Sequence, residues 1–346
     1  MIPMMILNPF NNSTIQLFKI VLMPLIKSSD YQAPFWLPNG HFQTVFPSLF
    51  RKAPIEYVHE RIDTPDDDFL DLGIAKKSQF KAQSSKLIIL SHGLEGNITR
   101  QYITGMVKLF TDNGFDCLAW NFRGCSDEMN RQLRFYHSGA TEDLETVVKY
   151  ALSKGYNELY LVGFSLGGNL TLKFLGERGK NIFPEIKKAV TFSVPLNLSS
   201  SSTRLERGDD WIYAKRFNRS LAKKVRAKAP FFKEIDTQPL DTIKTLRDFD
   251  DLYTSKLHGF KDAEDYYSKN SSLNFVSSIS VPTLIVNAKH DPFLSSECFP
   301  LELMNKLENV WFESPDSGGH CGFYQTDYQG FLWSELRALK FFTHNK

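Results

Sequence analysis

Leu159-Tyr160-Leu161-Val162-Gly163-Phe164-Ser165-Leu166-Gly167-Gly168 is the stretch that decides the fold. Its first four residues form an apolar run of the kind expected in a strand buried on both faces. Gly163-Phe164-Ser165-Leu166-Gly167 then matches G-x-S-x-G, a sharp strand-to-helix turn whose small flanking residues let the backbone fold tightly and expose the serine hydroxyl. Gly168-Asn169-Leu170-Thr171-Leu172 continues as a helix able to pack close to a sheet. Chance alone yields roughly 0.1 such matches in a chain of this length, so the strand-turn-helix setting carries more weight than the string. The competing reading is a glycine-rich turn with an idle serine.

On either side of this turn, short strand-like runs alternate with helix-length amphipathic runs, the pattern of an α/β protein with a mostly parallel twisted sheet flanked by helices. Residues 56–63 and 69–75 read as an antiparallel hairpin across Thr64-Pro65-Asp66-Asp67-Asp68, where a Pro-Asp turn explains the three aspartates without a metal. Strands are expected at 87–90, 116–121, 159–163, 189–194, 282–286 and 310–313. Helices are expected at about 99–113, 141–153, from 165, at 296–307 and at 328–342. The alternation stops between about 196 and 275, where the sequence is polar, helix-prone and short of strand signals. The expected organisation is therefore an N-terminal extension (1–54), a core (55–195 and 276–346) and a helical cap insertion (196–275).

Composition narrows the function. The 346 residues are 42% hydrophobic and 23% charged, which suits a globular chain and excludes disordered, collagen-like and fibrous classes. Forty-one basic against 39 acidic side chains leave a net charge of +2, too little for a global field that would hold nucleic acid. The four cysteines, Cys117, Cys125, Cys298 and Cys321, form no C-x-x-C pair, which fits a reducing compartment and no structural zinc. The most apolar N-terminal piece, residues 15–26, is broken by Lys19 and Pro24. It is too short to span a bilayer and lacks signal-peptide flanks, so a cytoplasmic location is expected, with a peripheral anchor or a start at Met23 as alternatives. Between Trp211 and Lys233 eight basic residues occur without a carboxylate, while Tyr213, Phe217, Leu221 and Val225 recur at helical spacing. Such a helix either packs its stripe on the core and leaves a solvated basic face, or makes peripheral contact with an anionic membrane.

A serine hydroxyl is a poor nucleophile at neutral pH and needs a base within hydrogen-bond reach and an acid to orient that base. Of the eight histidines, His320 lies in Ser317-Gly318-Gly319-His320-Cys321-Gly322, a glycine-rich loop just after the last expected strand. Asp291 follows the 282–286 strand directly and is the expected acid, in preference to Asp316 in the Ser314-Pro315-Asp316-Ser317 turn. The backbone amides of Leu94, in the loop after the 87–90 strand, and Leu166 are the expected oxyanion hole, with His92 in an architectural role. No metal or organic cofactor is implied.

The order Ser165, Asp291, His320 is that of the α/β-hydrolase fold, and the chain resembles the YheT-like group within it, also called the AB-hydrolase-4 family. The resemblance covers most of the chain and rests on six segments: Asn39-Gly40-His41-Phe42-Gln43-Thr44, His92-Gly93-Leu94-Glu95-Gly96, Asn121-Phe122-Arg123-Gly124-Cys125, residues 163–168, Asn287-Ala288-Lys289-His290-Asp291-Pro292, and Gly318-Gly319-His320-Cys321-Gly322-Phe323. It implies carboxylic ester hydrolysis of a small-molecule acyl ester, here of short or medium chain. The alternatives are acyl transfer to an alcohol and a non-catalytic, ligand-binding member of the fold. The Asn39 to Thr44 segment yields no catalytic role from its residues.

Overall fold

The computed structural model describes residues 25–26, 28–77, 85–327 and 329–344. Its elements in chain order are β1 (Leu25–Ile26), α1 (Gly40–Phe50), β2 (Val58–Asp63), β3 (Phe69–Ala75), β4 (Lys86–Ser91), α2 (Gln101–Asp112), β5 (Asp116–Trp120), α3 (Thr141–Ser153), β6 (Glu158–Phe164), α4 (Leu166–Arg178) and β7 (Ile186–Phe192). Then follow α5 (Leu198–Arg204), α6 (Trp211–Lys228), α7 (Leu246–Phe249), a π-helical turn (Asp250–Thr254), α8 (Ser255–Leu257) and α9 (Ala263–Asn270). The chain closes with β8 (Thr283–Val286), α10 (Leu301–Met304), β9 (Val310–Glu313) and α11 (Trp333–Thr343).

Among the described residues the strands form one sheet in the order β1-β9-β8-β7-β6-β4-β5-β3-β2. The β2–β3 and β3–β5 pairs are antiparallel and all others parallel. Leu159, Leu161, Leu87 and Ile89 face one apolar layer, while Tyr160, Val162, Ile88 and Leu90 face the other. Period-2 alternation in a strand covered on both faces produces that division, and it explains why these strands read as continuous apolar runs. The α/β class, the hairpin and the mostly parallel sheet are as the sequence predicts.

Three local expectations change. The helix expected over 296–307 is instead a 3₁₀ turn, Ser296–Cys298, followed by the short α10. Pro300 separates them, because its ring cannot sit inside a helix without losing a hydrogen bond. The last helix begins at Trp333 rather than 328; residue 328 lies outside the described residues, as do residues 15–24 of the N-terminal apolar piece. Its last two residues, Leu25 and Ile26, pair with Phe312 and Glu313 as an edge strand.

Within the N-terminal extension, where the sequence predicts no element, the helix α1 forms although it contains Gly40 and Pro47. The Asn39 side chain caps its start by accepting from the Phe42 amide at 3.1 Å. Arg51, at its end, pairs with the buried Glu335 of α11 at 2.6 Å. Gly105 of α2 is what makes room for that pair, since a Cβ there would lie 2.0 Å from both Arg51 Nη1 and Glu335 Oε1.

The aspartate-rich turn also does more than turn. Asp66 and Asp68 reach inward to Arg123, whose buried guanidinium meets them at 2.9 and 2.8 Å and meets Asp143 at 2.7 Å. Asn130 bonds the same Asp68 carboxylate and accepts from Lys228 Nζ at 2.6 Å, so the cluster ties the hairpin, the 121–134 loop and the end of α6 together. Replacing Arg123 by Met would leave Asp68 and Asp143 buried without their partner. Loss of one member of such a pair costs about 3–5 kcal/mol, so R123M should unfold at a clearly lower urea midpoint than the wild type; an unchanged midpoint would contradict this account.

Candidate active site

The serine turn is tight for a steric reason. Ser165 has φ 53°, unusual for a residue with a Cβ. A Cβ on Gly163 would lie 2.6 Å from the Gly167 carbonyl oxygen, and one on Gly167 would lie 2.3 Å from that of His92. Only glycines let α4 start this close to β6 and to the loop after β4. Backbone strain gathers here: of the five non-glycine residues with positive φ among the described residues, Glu95, Ser165 and Cys321 border one cleft, and Ser193 holds the Cys321 amide through its hydroxyl at 2.8 Å.

The structure brings Ser165, His320 and Asp291 together at the carboxyl ends of β6, β9 and β8. Ser165 Oγ lies 2.7 Å from His320 Nε2, and His320 Nδ1 lies 3.0 and 3.1 Å from the two Asp291 oxygens. Those distances suit a hydroxyl donating to Nε2 while Nδ1–H donates to the carboxylate. Asp291 Oδ1 also accepts from the Phe293 amide at 2.9 Å, which fixes the carboxylate, and the Phe293 ring stacks on the imidazole at 4.0 Å. Asp316 stays apart, exposed and paired with Lys289 at 2.6 Å.

Leu166 is the first residue of α4, so its amide is among the helix N–H groups that have no acceptor within the helix. In the facing loop, Tyr102 Oη accepts from the Gly93 amide at 3.1 Å and Tyr136 Oη from the Glu95 amide at 3.0 Å. The Leu94 amide is the one between the two that neither tyrosine takes. His92 is buried, and burial lowers its pKa to about 3. Its Nε2 accepts from the Phe122 amide at 3.2 Å, so Nδ1–H donates to the Gly93 carbonyl at 2.8 Å and holds that loop.

The sequence reading missed the groups that support His320. Thr44 of α1 accepts from the His320 amide through Oγ1 at 2.8 Å, and Gly40 packs so close to the His290 carbonyl that a Cβ would lie 1.8 Å from its oxygen. Pro47 leaves the Gln43 carbonyl without its helical donor. Gly322 packs against that carbonyl, and a Cβ there would lie 1.9 Å from its oxygen. The Asn39 to Thr44 segment is thus a buttress for the histidine loop. No local signal could reveal this, since Thr44 and His320 are 276 residues apart in the chain.

Ser165 and His320 border two spaces. The inner one runs beneath α5 to α9 and is lined largely by apolar side chains such as Leu166, Leu198, Phe217, Leu221, Val225, Phe249 and Phe293. The outer one is more polar and includes Thr44, Ser48, Arg100, Gln101, Arg216 and Ser220. The stripe on α6 faces inward, as a packed helix requires: Val225 is fully buried and Tyr213 and Phe217 meet the Phe293 ring. Two of its basic residues turn inward as well. Lys224 bonds Glu95 at 2.7 Å, and Lys228 donates to Asn130 and to the Gln132 and Arg134 carbonyls. Lys215, Arg216, Arg219 and Lys223 remain exposed on the helix that opens with the exposed Trp211 and Ile212, Arg226 pairs at the surface with Asp241 at 2.6 Å, and the helix stops at Lys228, short of Lys233. Among the described residues no helix is long and apolar enough to cross a membrane.

Comparisons with known proteins bear on the fold and the family. A family model described as the alpha/beta hydrolase fold matches residues 86–327. YheT of Escherichia coli (strain K12), which carries a provisional esterase name, is 34% identical over 88% of this chain and 90% of its own. The phospholipase ABHD3 of Homo sapiens is 30% identical over 87% of this chain and 75% of its own. The monoacylglycerol lipase ABHD2 of the same species is 28% identical over 91% and 79%. Among solved structures, an esterase of Pyrococcus furiosus, Pf2001, superposes with a TM-score of 0.54 at 19% identity, covering 83% of this chain and 89% of its own.

Proposed function

Because the chain belongs to the alpha/beta hydrolase family, in its YheT-like group of carboxylic ester hydrolases, we propose that it cleaves apolar acyl esters of short or medium chain length through an acyl-enzyme on Ser165. The observation that carries this reading is the unbroken line from Ser165 Oγ through His320 to Asp291 at hydrogen-bond distances. Ser165 Oγ attacks the ester carbonyl as His320 Nε2 takes its proton, and the alcohol leaves with that proton. Water then attacks the acyl-enzyme by the same relay in reverse. The Leu94 and Leu166 amides stabilise the oxyanion, and Asp291 keeps the imidazole in the tautomer that leaves Nε2 free to accept.

In this reading the acyl chain enters the inner cavity and the alcohol portion stays on the outer side, where Arg100 and Arg216 favour a polar or anionic group. Residues 196–275 act as a cap over a core of 55–195 and 276–346, and the 1–54 extension contributes the buttress α1. The exposed Lys215, Arg216, Arg219 and Lys223 of α6, with Trp211 and Ile212, would hold the enzyme at an anionic surface at low salt, where the Debye length is long.

The test is hydrolysis of p-nitrophenyl esters from two to sixteen carbons, free and in phosphatidylglycerol vesicles, with glycerol present as a competing acceptor. Expected are a preference for short or medium chains, free acid as the main product, and a vesicle rate that falls as salt rises. Glycerol ester formed far above the ratio of acceptor to water would favour the acyltransferase reading, and a salt-insensitive vesicle rate would reject the surface contact.

A further inference from the structure

The inner cavity is apolar along most of its wall, but it also holds a carboxylate. Asp250 lines it together with Tyr267 and Ser202, and it does not border the outer space that Ser165, Leu94, Phe217, Phe293 and His320 share. It therefore sits away from the junction where the ester bond would lie. Three separate helical elements converge there: Asp250 opens the π-helical turn, Tyr267 belongs to α9 and Ser202 to α5. Tyr267 Oη lies 2.6 Å from Asp250 Oδ2 and 3.1 Å from Ser202 Oγ. The tyrosine has a single proton, and the shorter contact assigns it to the carboxylate, so Ser202 donates to the phenol oxygen.

Each carboxylate oxygen has two lone pairs, and the hydrogen bonds from Tyr267 and Thr254 leave Asp250 with further acceptor capacity where it lines the cavity. An ionised group so enclosed is costly unless its hydrogen bonds are made. Burial accordingly raises the Asp250 pKa to about 6, against the lowering effect of hydrogen bonds from Thr254 and Tyr267. The π turn widens one helical turn where Asp250 and Thr254 both face the cavity, and such turns recur at functional sites.

We propose that the inner cavity is a subsite for acyl chains that carry a hydroxyl toward their far end, with Asp250 accepting that hydroxyl's hydrogen bond. The assignment rests on the acyl chain occupying this cavity, as in the function proposed above. A plain chain of the same length would cover the acceptor sites that Tyr267 and Thr254 do not fill without offering them a donor, and a site built to bond a hydroxyl rejects the analogue that lacks it. A terminal carboxylate would face Asp250 with like charge.

The experiment compares p-nitrophenyl esters of straight-chain acids with their ω-hydroxy and ω-carboxy counterparts at each length from four to fourteen carbons. It is run at pH 8, where Asp250 is ionised, on the wild type, Asp250→Leu and Asp250→Asn. At the length that reaches Asp250, the wild type should favour the ω-hydroxy ester in kcat/KM by roughly 10-fold or more, with the ω-carboxy ester slowest of the three. Asp250→Leu should reverse the order in favour of the plain chain. Asp250→Asn, which keeps an acceptor oxygen, should retain part of the preference. A purely structural role for the Tyr267 bond would lower thermal stability in both variants without altering the ratio. An unaltered ratio, or no hydroxyl preference at any length in the wild type, would overturn the inference. If Asp250→Leu does not fold, the wild-type length scan and the Asp250→Asn ratio decide alone. Wild-type protein that hydrolyses none of these esters would instead overturn the acyl-enzyme reading.

Discussion

Ser165→Ala is expected to lower ester hydrolysis by roughly 10⁶-fold, the scale seen when the nucleophile of such a relay is removed. The change deletes one oxygen at a buried site and keeps a Cβ, so the strained φ of 53° is no worse for Ala than for Ser. The turn is held by contacts that do not involve Oγ: the Ser165 amide donates to the Phe192 carbonyl at 2.9 Å, and the Asn169 amide donates to the Ser165 carbonyl at 3.0 Å. The variant should therefore fold with an unchanged thermal midpoint. A fluorophosphonate probe should label the wild type and leave Ser165→Ala unlabelled, because no other serine shares a hydrogen bond with His320 among the described residues. Continued labelling or turnover in the variant would mean that the nucleophile lies elsewhere.

Asp291→Asn is the second large effect, an expected loss of about 10⁴ in kcat. Both Asp291 oxygens face His320 Nδ1 at 3.0 to 3.1 Å. An amide at that place can present its own N–H to Nδ1, which moves the imidazole proton to Nε2 and removes the lone pair that must take the Ser165 proton. Asp316→Asn is the control. That residue is exposed and bonded to Lys289, and its carboxylate is held below the usual range first by the hydrogen bond from that lysine. Its replacement should leave kcat essentially unchanged, because it bonds Lys289 at the surface and not His320. If Asp316→Asn were the more damaging substitution, the orienting carboxylate would have to be reassigned.

Much of this protein is written locally. The G-x-S-x-G turn declares itself because much of what it requires is local: a Cβ on Gly163 would strike the Gly167 carbonyl four residues on, and a strand and a helix lie on either side, whereas Gly167 is required by the distant loop after β4. The parallel sheet is legible for a similar reason, since a strand covered on both faces must be apolar along its length. Asp291 and His320 were readable because each lies in the loop that follows a strand, after β8 and β9, and the fold gathers strand ends at one edge. Helix ends were less legible where a proline intervened, as at Pro300.

What the sequence by itself determined, then, is the α/β alternation, the serine elbow and the identity of the two strand-end residues that meet it. What only the tertiary structure decided is everything that depends on residues far apart in the chain. Thr44 became a support for His320, two of three turn aspartates became the partners of a buried Arg123, and two lysines of a basic stripe turned inward to Glu95 and Asn130. Asp250 became part of a cavity wall. The physical reason is that a side chain's role as ligand, buttress or solvated charge is set by what desolvates it. For these residues the desolvating neighbours come from distant segments, whose approach no local periodicity or spacing encodes.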